Sequence, residues 1–226
     1  TLHNNNGVNT AIASMNNDPA TGDKRTLLNS LYNFQPNNGT PLRDTLNQTG
    51  RYLSCESNDF FGTCPATAAG AGGECQQNFT VAMTDGFYNG SFDLTDEAAP
   101  AAANDNADGG ASNSAWDGAS YADTYGDTLA DIAMHYYETD IRSAVTDDVP
   151  TITGVDENDQ QHMVTYTIAF GVDGTMTANP PNRTDAFSWP DPDDNTDGLR
   201  DARRIDDLRH AAWNGRGEFL SAQNPQ

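Results

Sequence analysis

The longest regular apolar pattern in this sequence reads His162-Met163-Val164-Thr165-Tyr166-Thr167-Ile168-Ala169-Phe170-Gly171-Val172. Large apolar residues alternate with smaller ones from Val164 to Val172, and this period of two is typical of a β-strand. A long apolar strand of this kind lies at the centre of a sheet. The fold then depends on which segments supply the neighbouring strands and the helices that cover them.

Two shorter apolar segments and four amphipathic segments alternate along the chain. Residues 79–83 and 218–221 are predicted strands, and we expect the first of them to be buried on both faces. Helices are predicted over residues 25–34, over 41–53 with Thr40 as the N-cap, from Asp127 or Thr128 to about residue 142, and over 205–213 before Gly215. This alternation predicts a doubly wound α/β fold, in which helices cover both faces of a mostly parallel sheet.

The length of the chain suits one sizeable domain with surplus loops. We expect residues 1–24 to form an irregular lead-in and residues 25–226 to form the domain. Long polar insertions are predicted near 89–126 and 173–204, because these stretches are rich in Ala, Asn, Asp, Gly and Pro and can bury little apolar surface.

The charge of the chain excludes several classes of partner. It carries 33 acidic and 11 basic residues, for a formal net charge of −22. Such a surface repels the phosphates of nucleic acid and an anionic membrane face, whereas it attracts divalent cations. No apolar run is long enough to span a bilayer, so we expect neither nucleic-acid binding nor membrane insertion.

Three cysteines, Cys55, Cys64 and Cys75, fall in one short polar stretch that fits no zinc-binding spacing. A surface disulfide in an oxidising compartment is the simplest interpretation. We predict a Cys55–Cys75 bond, because these two cysteines flank predicted regular elements while Cys64 lies between them. The third thiol is then unpaired, or paired with chain outside this sequence.

Four segments share a pattern in residue type, order and spacing with one group of proteins. They are Asn38-Gly39-Thr40-Pro41-Leu42-Arg43-Asp44, Gln77-Asn78-Phe79-Thr80-Val81-Ala82-Met83-Thr84-Asp85-Gly86-Phe87-Tyr88-Asn89, Asp127-Thr128-Leu129-Ala130-Asp131-Ile132-Ala133-Met134-His135-Tyr136-Tyr137, and Ile205-Asp206-Asp207-Leu208-Arg209-His210-Ala211-Ala212-Trp213-Asn214-Gly215-Arg216-Gly217. Together they resemble the von Willebrand factor A-like domain of pilus-tip proteins of the PilY kind. The first two are shared by many A domains, whereas the last two are more particular to the pilus-tip group.

The resemblance implies a metal-ion-dependent adhesion site. In A domains this site combines a D-x-S-x-S loop after the first strand with a threonine and an aspartate, which correspond here to Thr40 and Asp85. No D-x-S-x-S occurs in the sequence, so we expect the first strand region to be missing or supplied from outside this chain. Hydroxyl and carboxylate oxygens suit Mg or Mn, which would bridge to an acidic group of a partner. The alternative is that Thr40 only caps a helix and Asp85 only stabilises a turn.

A second candidate metal site follows from oxygen-bearing side chains at alternating positions. Asp193, Asn195 and Asp197 are followed by Gly198, which matches the first half of a calcium-binding loop, and Asp201 can assist from the ninth position. Arg204 stands at the twelfth position, where such loops have glutamate. We therefore expect weak Ca binding there, and the alternative is an ordinary solvated loop.

The resemblance implies a non-enzymatic, extracellular binding module of a type IV pilus tip protein, acting in pilus assembly and surface adhesion through a divalent metal. The expected partners are other pilus-tip or minor pilin subunits and a host or surface receptor. The expected location is the pilus tip at the cell surface, reached through the periplasm. The alternative is a general secreted A-domain adhesin without a pilus role. No catalytic triad, phosphate-binding loop or zinc-protease motif in the sequence favours an enzyme.

Overall fold

The computed structural model of the protein describes residue 13 and residues 15–33, 39–55, 64–89 and 118–222. The described part forms helices and parallel strands in the predicted order. The elements are α1 Gly22–Tyr32, α2 Leu42–Leu53, β1 Asn78–Thr84, α3 Leu129–Glu138, β2 Met163–Phe170, α4 Arg200–Asn214 and β3 Arg216–Ala222.

The three strands form one open parallel sheet in the order β1-β2-β3. The segment His162–Val172 singled out in the sequence supplies β2, and β2 is the central strand. β1 pairs with β2 over its whole length, with Phe79 beside Val164 and Met83 beside Ile168. The pairing of β2 with β3 has a register irregularity between Thr165 and Thr167. The predicted α/β fold with a parallel sheet is therefore confirmed.

One face of the sheet lies under α3 and α4. Met163, Thr165, Thr167 and Ala169, which alternate along β2, are each fully buried on this side. The Thr167 hydroxyl donates a hydrogen bond of 2.8 Å to the backbone carbonyl of Leu208, which ties the centre of β2 to α4. Small and polar side chains on this face let the helices approach closely, so the main core lies between α3, α4 and the sheet.

The opposite face differs from the prediction at β1. Phe79, Val81 and Met83 are 56%, 54% and 55% exposed, so β1 is not buried on both faces. The reason is that none of the described helices covers the face of the sheet that carries these three side chains, and Tyr166 and Ile168, beside them on β2, are only partly buried as well. An apolar sequence of five residues predicts a strand, but it does not show whether helices cover one face of that strand or both.

α2 packs closely against α3 and adds to the core. The ring of Tyr136 on α3 lies where a side chain at Gly50 of α2 would be, since a Cβ atom there would come within 2.3 Å of the ring. The Tyr136 hydroxyl donates to the side-chain oxygen of Asn47 at 2.8 Å, which satisfies the buried phenol. Glycine at position 50 therefore makes room for a large aromatic side chain between α2 and α3.

The N-terminus of α3 is closed by hydrogen bonds from within the helix and from α4. Thr128 is the N-cap, as one of the two predicted candidates, and it forms a capping box with Asp131. The carboxylate of Asp207 on α4 accepts from the backbone N–H groups of Leu129 and Ala130 at 3.0 and 3.2 Å. These bonds pair backbone donors that the first helical turn leaves without intrahelical partners.

Other predicted boundaries shift by a few residues. α1 begins at Gly22, inside the predicted lead-in, and none of its residues is buried. The N-cap of α2 is Pro41 rather than Thr40, and no side chain caps this helix, so the capping role predicted for Thr40 is wrong. α4 begins at Arg200, inside the predicted insertion 173–204. Residues 1–12 and 90–117, which hold half of the predicted lead-in and most of the first insertion, lie outside the described residues.

Candidate functional site

The segment that contains Thr40 lies against the carboxyl end of β1. The backbone N–H of Thr40 donates to the side-chain oxygen of Asn89 at 2.8 Å, and the N–H of Asn89 donates to the carbonyl of Thr40 at 3.1 Å. Asn89 is four residues beyond Asp85 in the turn that follows β1. The loop before α2 and the loop after β1 are therefore joined by two hydrogen bonds at one edge of the sheet.

Glycine at position 39 permits this junction. Gly39 has φ of 59°, a left-handed conformation that other residues adopt only with strain, and a Cβ atom there would lie 2.8 Å from the Asn89 side-chain oxygen. The sequence Gly-Thr thus supplies the turn residue and the N–H that donates to Asn89. Thr40 was predicted as a site residue from the sequence, whereas Asn89, the last residue of Thr84-Asp85-Gly86-Phe87-Tyr88-Asn89, was not.

Asp85 follows directly after β1 and is exposed to solvent. The turn is stabilised by Thr84, whose hydroxyl donates to the carbonyl of Gly86 and accepts from its N–H. Both of these hydrogen bonds to the turn backbone are made by Thr84 and not by Asp85. The Asp85 carboxylate and Thr40 belong to two loops that meet at Asn89. Joint binding of one cation by Asp85 and Thr40 stays a prediction.

Behind this junction, two arginines pack against the same tyrosine. The guanidinium carbons of Arg43 on α2 and Arg204 on α4 lie 5.0 and 5.1 Å from the centre of the Tyr88 ring, within the range of cation–π contacts. Arg204 also donates to the Tyr88 carbonyl at 2.8 Å, and the Tyr88 hydroxyl donates to Asp207 at 2.6 Å. α2, α4 and the loop after β1 are thereby fixed to one another.

Burial changes the acid–base properties of this cluster. The Tyr88 side chain is 1% exposed, and burial together with the neighbouring Asp207 carboxylate raises the pKa of its phenol. Burial also raises the pKa of Asp207, while the hydrogen bonds from Tyr88, Leu129 and Ala130 oppose that rise. Because both groups are buried and bonded to structural partners, the cluster holds the loops in place and offers no exposed acid or base.

The predicted calcium loop is held by arginines. Asp193 pairs with Arg204 at 2.7 Å, and Asp197 pairs with Arg203 through two bonds of 2.8 and 2.6 Å. The hydrogen bond from Arg203 lowers the pKa of Asp197 below its ordinary value. Asn195 lies in the same exposed loop, and Asp201 is an exposed residue in the first turn of α4. A calcium ion would therefore have to compete with Arg203 and Arg204 for the two carboxylates.

Arg203 and Arg204 are a feature of the sequence that distinguishes this loop from a calcium-binding loop. They occupy the eleventh and twelfth positions of the loop, where a cation can neutralise the carboxylates from the following helix turn. In the described residues, no group of three or more His, Cys, Asp or Glu side chains is arranged to hold a metal ion. Calcium binding at Asp193, Asn195, Asp197 and Asp201 stays a prediction.

The disulfide differs from the predicted one. Cys55 is bonded to Cys64, with their Cα atoms 4.9 Å apart, and Cys75 is a free and exposed cysteine. The predicted Cys55–Cys75 bond is therefore wrong. Cys75 belongs to a short 3₁₀ turn, Gly73–Cys75, and its thiol lies against the carbonyl of Gly72. A position next to a regular element does not by itself bring two cysteines close together in space. Cys64, in the middle of the polar stretch, is the cysteine that lies beside Cys55.

Two histidine–aspartate pairs occur in the described residues, and both are buried. His162 lies 3.2 Å from Asp156, and His210 lies 3.3 Å from Asp123. The two histidine residues are 3% and 2% exposed, and the second ring stacks on Trp189 at 3.9 Å. The remaining ring nitrogen of each contacts a backbone carbonyl, of Gln160 and of Tyr121 respectively. Both rings are therefore fully engaged in contacts that hold loops to the core.

Comparison with known proteins relates the chain to one group. It is similar to the type IV pilus biogenesis factor PilY1 of Pseudomonas aeruginosa, with 33% identity in strain PAO1, 32% in strain PAK and 29% in strain UCBPP-PA14. The alignments cover 91%, 91% and 89% of this chain but only 19% of each PilY1 sequence. The chain thus spans about a fifth of the length of these relatives. No family model matches it, and no solved structure matches it.

The similarity extends over the fold and over both candidate sites, since it covers about nine tenths of the chain. It does not identify the function of either site, because the alignment concerns one part of much longer proteins. Within the described residues, none of the helices is long and apolar enough to cross a membrane.

Proposed function

We propose that this chain is a non-enzymatic binding and assembly module that acts in type IV pilus biogenesis. The observation that carries the proposal is the similarity to PilY1 over nine tenths of the chain. The fold is compatible with it, because loops from α2 and β1 meet at the carboxyl edge of a parallel sheet, where α/β proteins bind their ligands. The partners are other components of the pilus, including tip or minor pilin subunits.

The buried histidine–aspartate pairs support binding rather than catalysis. Both histidine–aspartate pairs of the described residues are buried and bonded on both ring nitrogens, so a substrate has no access to them. The net charge of −22 favours cationic partners and divalent ions over nucleic acid.

A module of this kind acts at the cell surface or in the periplasm on the way there, where a Cys55–Cys64 disulfide persists.

The proposal also includes surface adhesion through a divalent metal ion. Thr40 and Asp85 would contribute a hydroxyl and a carboxylate oxygen to Mg or Mn, and an acidic group of a receptor would complete the coordination. The junction at Asn89 supports this, because it holds the Thr40 loop beside the loop that carries Asp85. Two protein oxygens give Mg little advantage over water, so this chain alone should bind it poorly until further ligands are added.

The pilus role is tested in the bacterium that encodes the chain. Deletion of the codons for residues 39–222 from the chromosomal gene should reduce the number of surface pili seen by electron microscopy and should reduce twitching motility. Restoration of the codons at the same locus should recover both. Normal piliation and motility in a strain whose secreted protein lacks this segment would contradict the proposal.

The metal is tested separately with Asp85→Ala in the same gene. If Asp85 acts in metal-dependent attachment, this variant should assemble pili in normal number but adhere less to surfaces, and added Mg or Mn should not recover adhesion. Asp147→Ala is a matched control, since it removes an exposed carboxylate from a loop outside both candidate sites. Equal adhesion of the two variants would remove the adhesion site from the proposal and leave the assembly role standing.

A further inference from the structure

The carboxylate of Asp193, in the predicted calcium loop, contacts an arginine pair formed by Arg43 of α2 and Arg204 of α4. It accepts from Arg204 at 2.7 Å and lies 3.8 Å from the guanidinium group of Arg43. The side chains of Arg204 and Arg43 are 10% and 7% exposed, whereas the Asp193 side chain is 55% exposed. A carboxylate at the surface of the loop thus balances the charge of two guanidinium groups that are largely buried.

The loop holds Asp193 in this position through contacts of its own. The Asp193 N–H donates to the side chain of Asp191 at 2.9 Å. Arg203 donates to the carbonyl of Asp194 and to the carboxylate of Asp197, in both cases at 2.8 Å. These contacts join the loop to the first turn of α4, and they leave the Asp193 carboxylate available to the arginine pair.

Tyr88 connects the arginine pair to the candidate adhesion site. The two guanidinium carbons lie 5.0 and 5.1 Å from the centre of its ring, and its carbonyl accepts from Arg204 at 2.8 Å. The next residue, Asn89, forms the junction with Thr40 through hydrogen bonds of 2.8 and 3.1 Å. A shift of the Tyr88 backbone would therefore move Asn89, which supplies one partner of each of these two bonds.

Arg43 connects Asp193 to the other side of the same junction. Arg43 lies three residues after Thr40, and it donates to the carbonyl of Asp127 at 2.9 Å, directly before the N-cap of α3. Loss of the Asp193 charge would leave two largely buried guanidinium groups beside one ring, with little water to screen their repulsion. Because one arginine is attached to each loop of the junction, this repulsion would act on both loops.

We propose that Asp193 is a positioning residue for the junction at Asn89, which it fixes by holding the arginine pair against Tyr88. This role rests on the proposed function only in that the junction is taken as the edge where a ligand binds. It requires no ion in the 193–201 loop. The two candidate sites predicted from the sequence then form one connected unit, in which the loop orders the carboxyl edge of the sheet.

Amide hydrogen exchange of the purified chain tests this role. In Asp193→Asn, the amides of Thr40 and Asn89 should exchange about tenfold faster than in the wild type, because hydrogen bonds to a charged group are lost. The Val149 amide, which donates to the carbonyl of Asp159, should keep its rate. That bond lies in the loop before β2, at the amino end of the strands and away from the junction.

Two further variants distinguish positioning by Asp193 from a general effect of charge. Asp193→Glu keeps a carboxylate at this position and should restore most of the protection from exchange. Asp197→Asn removes a carboxylate of similar exposure, 46%, which pairs with Arg203 within the loop. It should leave the exchange of the Thr40 and Asn89 amides unchanged. Circular dichroism and thermal unfolding show whether each variant keeps its fold.

Three results would overturn the proposal. The first is exchange of the Thr40 and Asn89 amides at the wild-type rate in Asp193→Asn. The second is equal acceleration in Asp193→Asn and Asp197→Asn, because the junction would then depend on the total charge of the loop. The third is an acceleration that includes Val149 to the same extent, because it would report a loss of stability of the whole chain.

The exchange measurement involves no metal, so its outcome is independent of the adhesion test with Asp85→Ala. Unchanged adhesion of Asp85→Ala would remove the adhesion site and leave Asp193 as the residue that fixes the junction. Unchanged exchange in Asp193→Asn would remove that role of Asp193 and leave the proposed function standing.

Discussion

At the scale of single residues, polar side chains in this protein mainly fix loops to the core. Asn89 holds the Thr40 loop, Asp207 holds the start of α3, and His210 holds the backbone of Tyr121. None of the three roles follows from a sequence motif, because each joins residues that are distant along the chain. The sequence identified Thr40 and Asp85 by resemblance, and the structure adds the residue that connects their loops.

Asn89→Ala should lower the free energy of unfolding by about 1 kcal/mol, because the Thr40 N–H loses its acceptor at a partly exposed site. Asn89→Asp keeps an oxygen in the same position and should cost less. Urea unfolding of the three proteins measures both differences. If alanine and aspartate were equally destabilising, the side-chain oxygen would not be the group that matters.

Asp156 gives a prediction of pH dependence. Burial alone would raise the pKa of Asp156, but hydrogen bonds from His162 and Tyr137 and the charge of His162 bring it below the ordinary value of 3.8. A carboxyl whose pKa is lowered by folding stabilises the protein fully above its unfolded value, and this stabilisation is lost as the pH falls through that value toward the folded one. The contribution of Asp156 should therefore be complete at neutral pH and decline below about pH 4.

The comparison of wild type with Asp156→Asn isolates this contribution from other titrating groups. The variant should be less stable at pH 7 by about 1 to 3 kcal/mol, because hydrogen bonds to a charged group are lost. The difference between the two proteins should narrow as the pH falls below about 4. Urea unfolding across this pH range provides the test, and a difference that stays constant in acid would show that the charge of Asp156 does not contribute.

At the scale of elements, the sequence predicts those whose pattern is strong and local. The alternation from Val164 to Val172 and the apolar stripe of α3 both gave the correct element, and Thr128 was among the predicted caps. The same reasoning failed where neighbours decide the outcome. The burial of β1 depends on which helices cover each face of the sheet, and the partner of Cys55 depends on the three-dimensional positions of the other cysteines, so neither could be derived from spacing.

The capping box of α3 makes a prediction at this scale. Thr128→Ala removes the hydroxyl that accepts from the Asp131 N–H at 3.0 Å, and it should destabilise the protein by about 1 to 2 kcal/mol. Thr128→Ser retains the hydroxyl and should recover most of this loss. Thermal unfolding compares the two variants. The bonds from Asp207 to the same helix end persist in both, so a negligible effect of alanine would mean that Asp207 alone suffices as the cap.

At the scale of the whole molecule, stability depends both on repulsion among the acidic residues and on the arginine–aspartate pairs. The 33 acidic residues outnumber the 11 basic ones three to one, so most of them cannot each have a basic partner of their own. Three of these, Arg43, Arg203 and Arg204, lie close to Asp193, Asp194 or Asp197. Sequence alone gives the net charge and the calcium-like spacing, but it does not reveal that Arg43, Arg203 and Arg204 come together at the carboxylates of this loop. Because most of the acidic residues repel one another, the melting temperature should rise when NaCl screens them.

Calcium should stabilise the chain beyond this screening effect only if the loop binds it. At equal ionic strength, about 10 mM Ca²⁺ acting on a site with a dissociation constant of about 1 mM would add about 1.4 kcal/mol to the free energy of unfolding. The double variant Asp193→Asn with Asp197→Asn should respond to NaCl as the wild type does but should show no additional response to Ca²⁺. Arg203→Gln should increase the response, because Asp197 is then released for the ion. If CaCl₂ and NaCl give equal stability at equal ionic strength in the wild type and in Arg203→Gln, the arginines hold a loop that does not bind calcium.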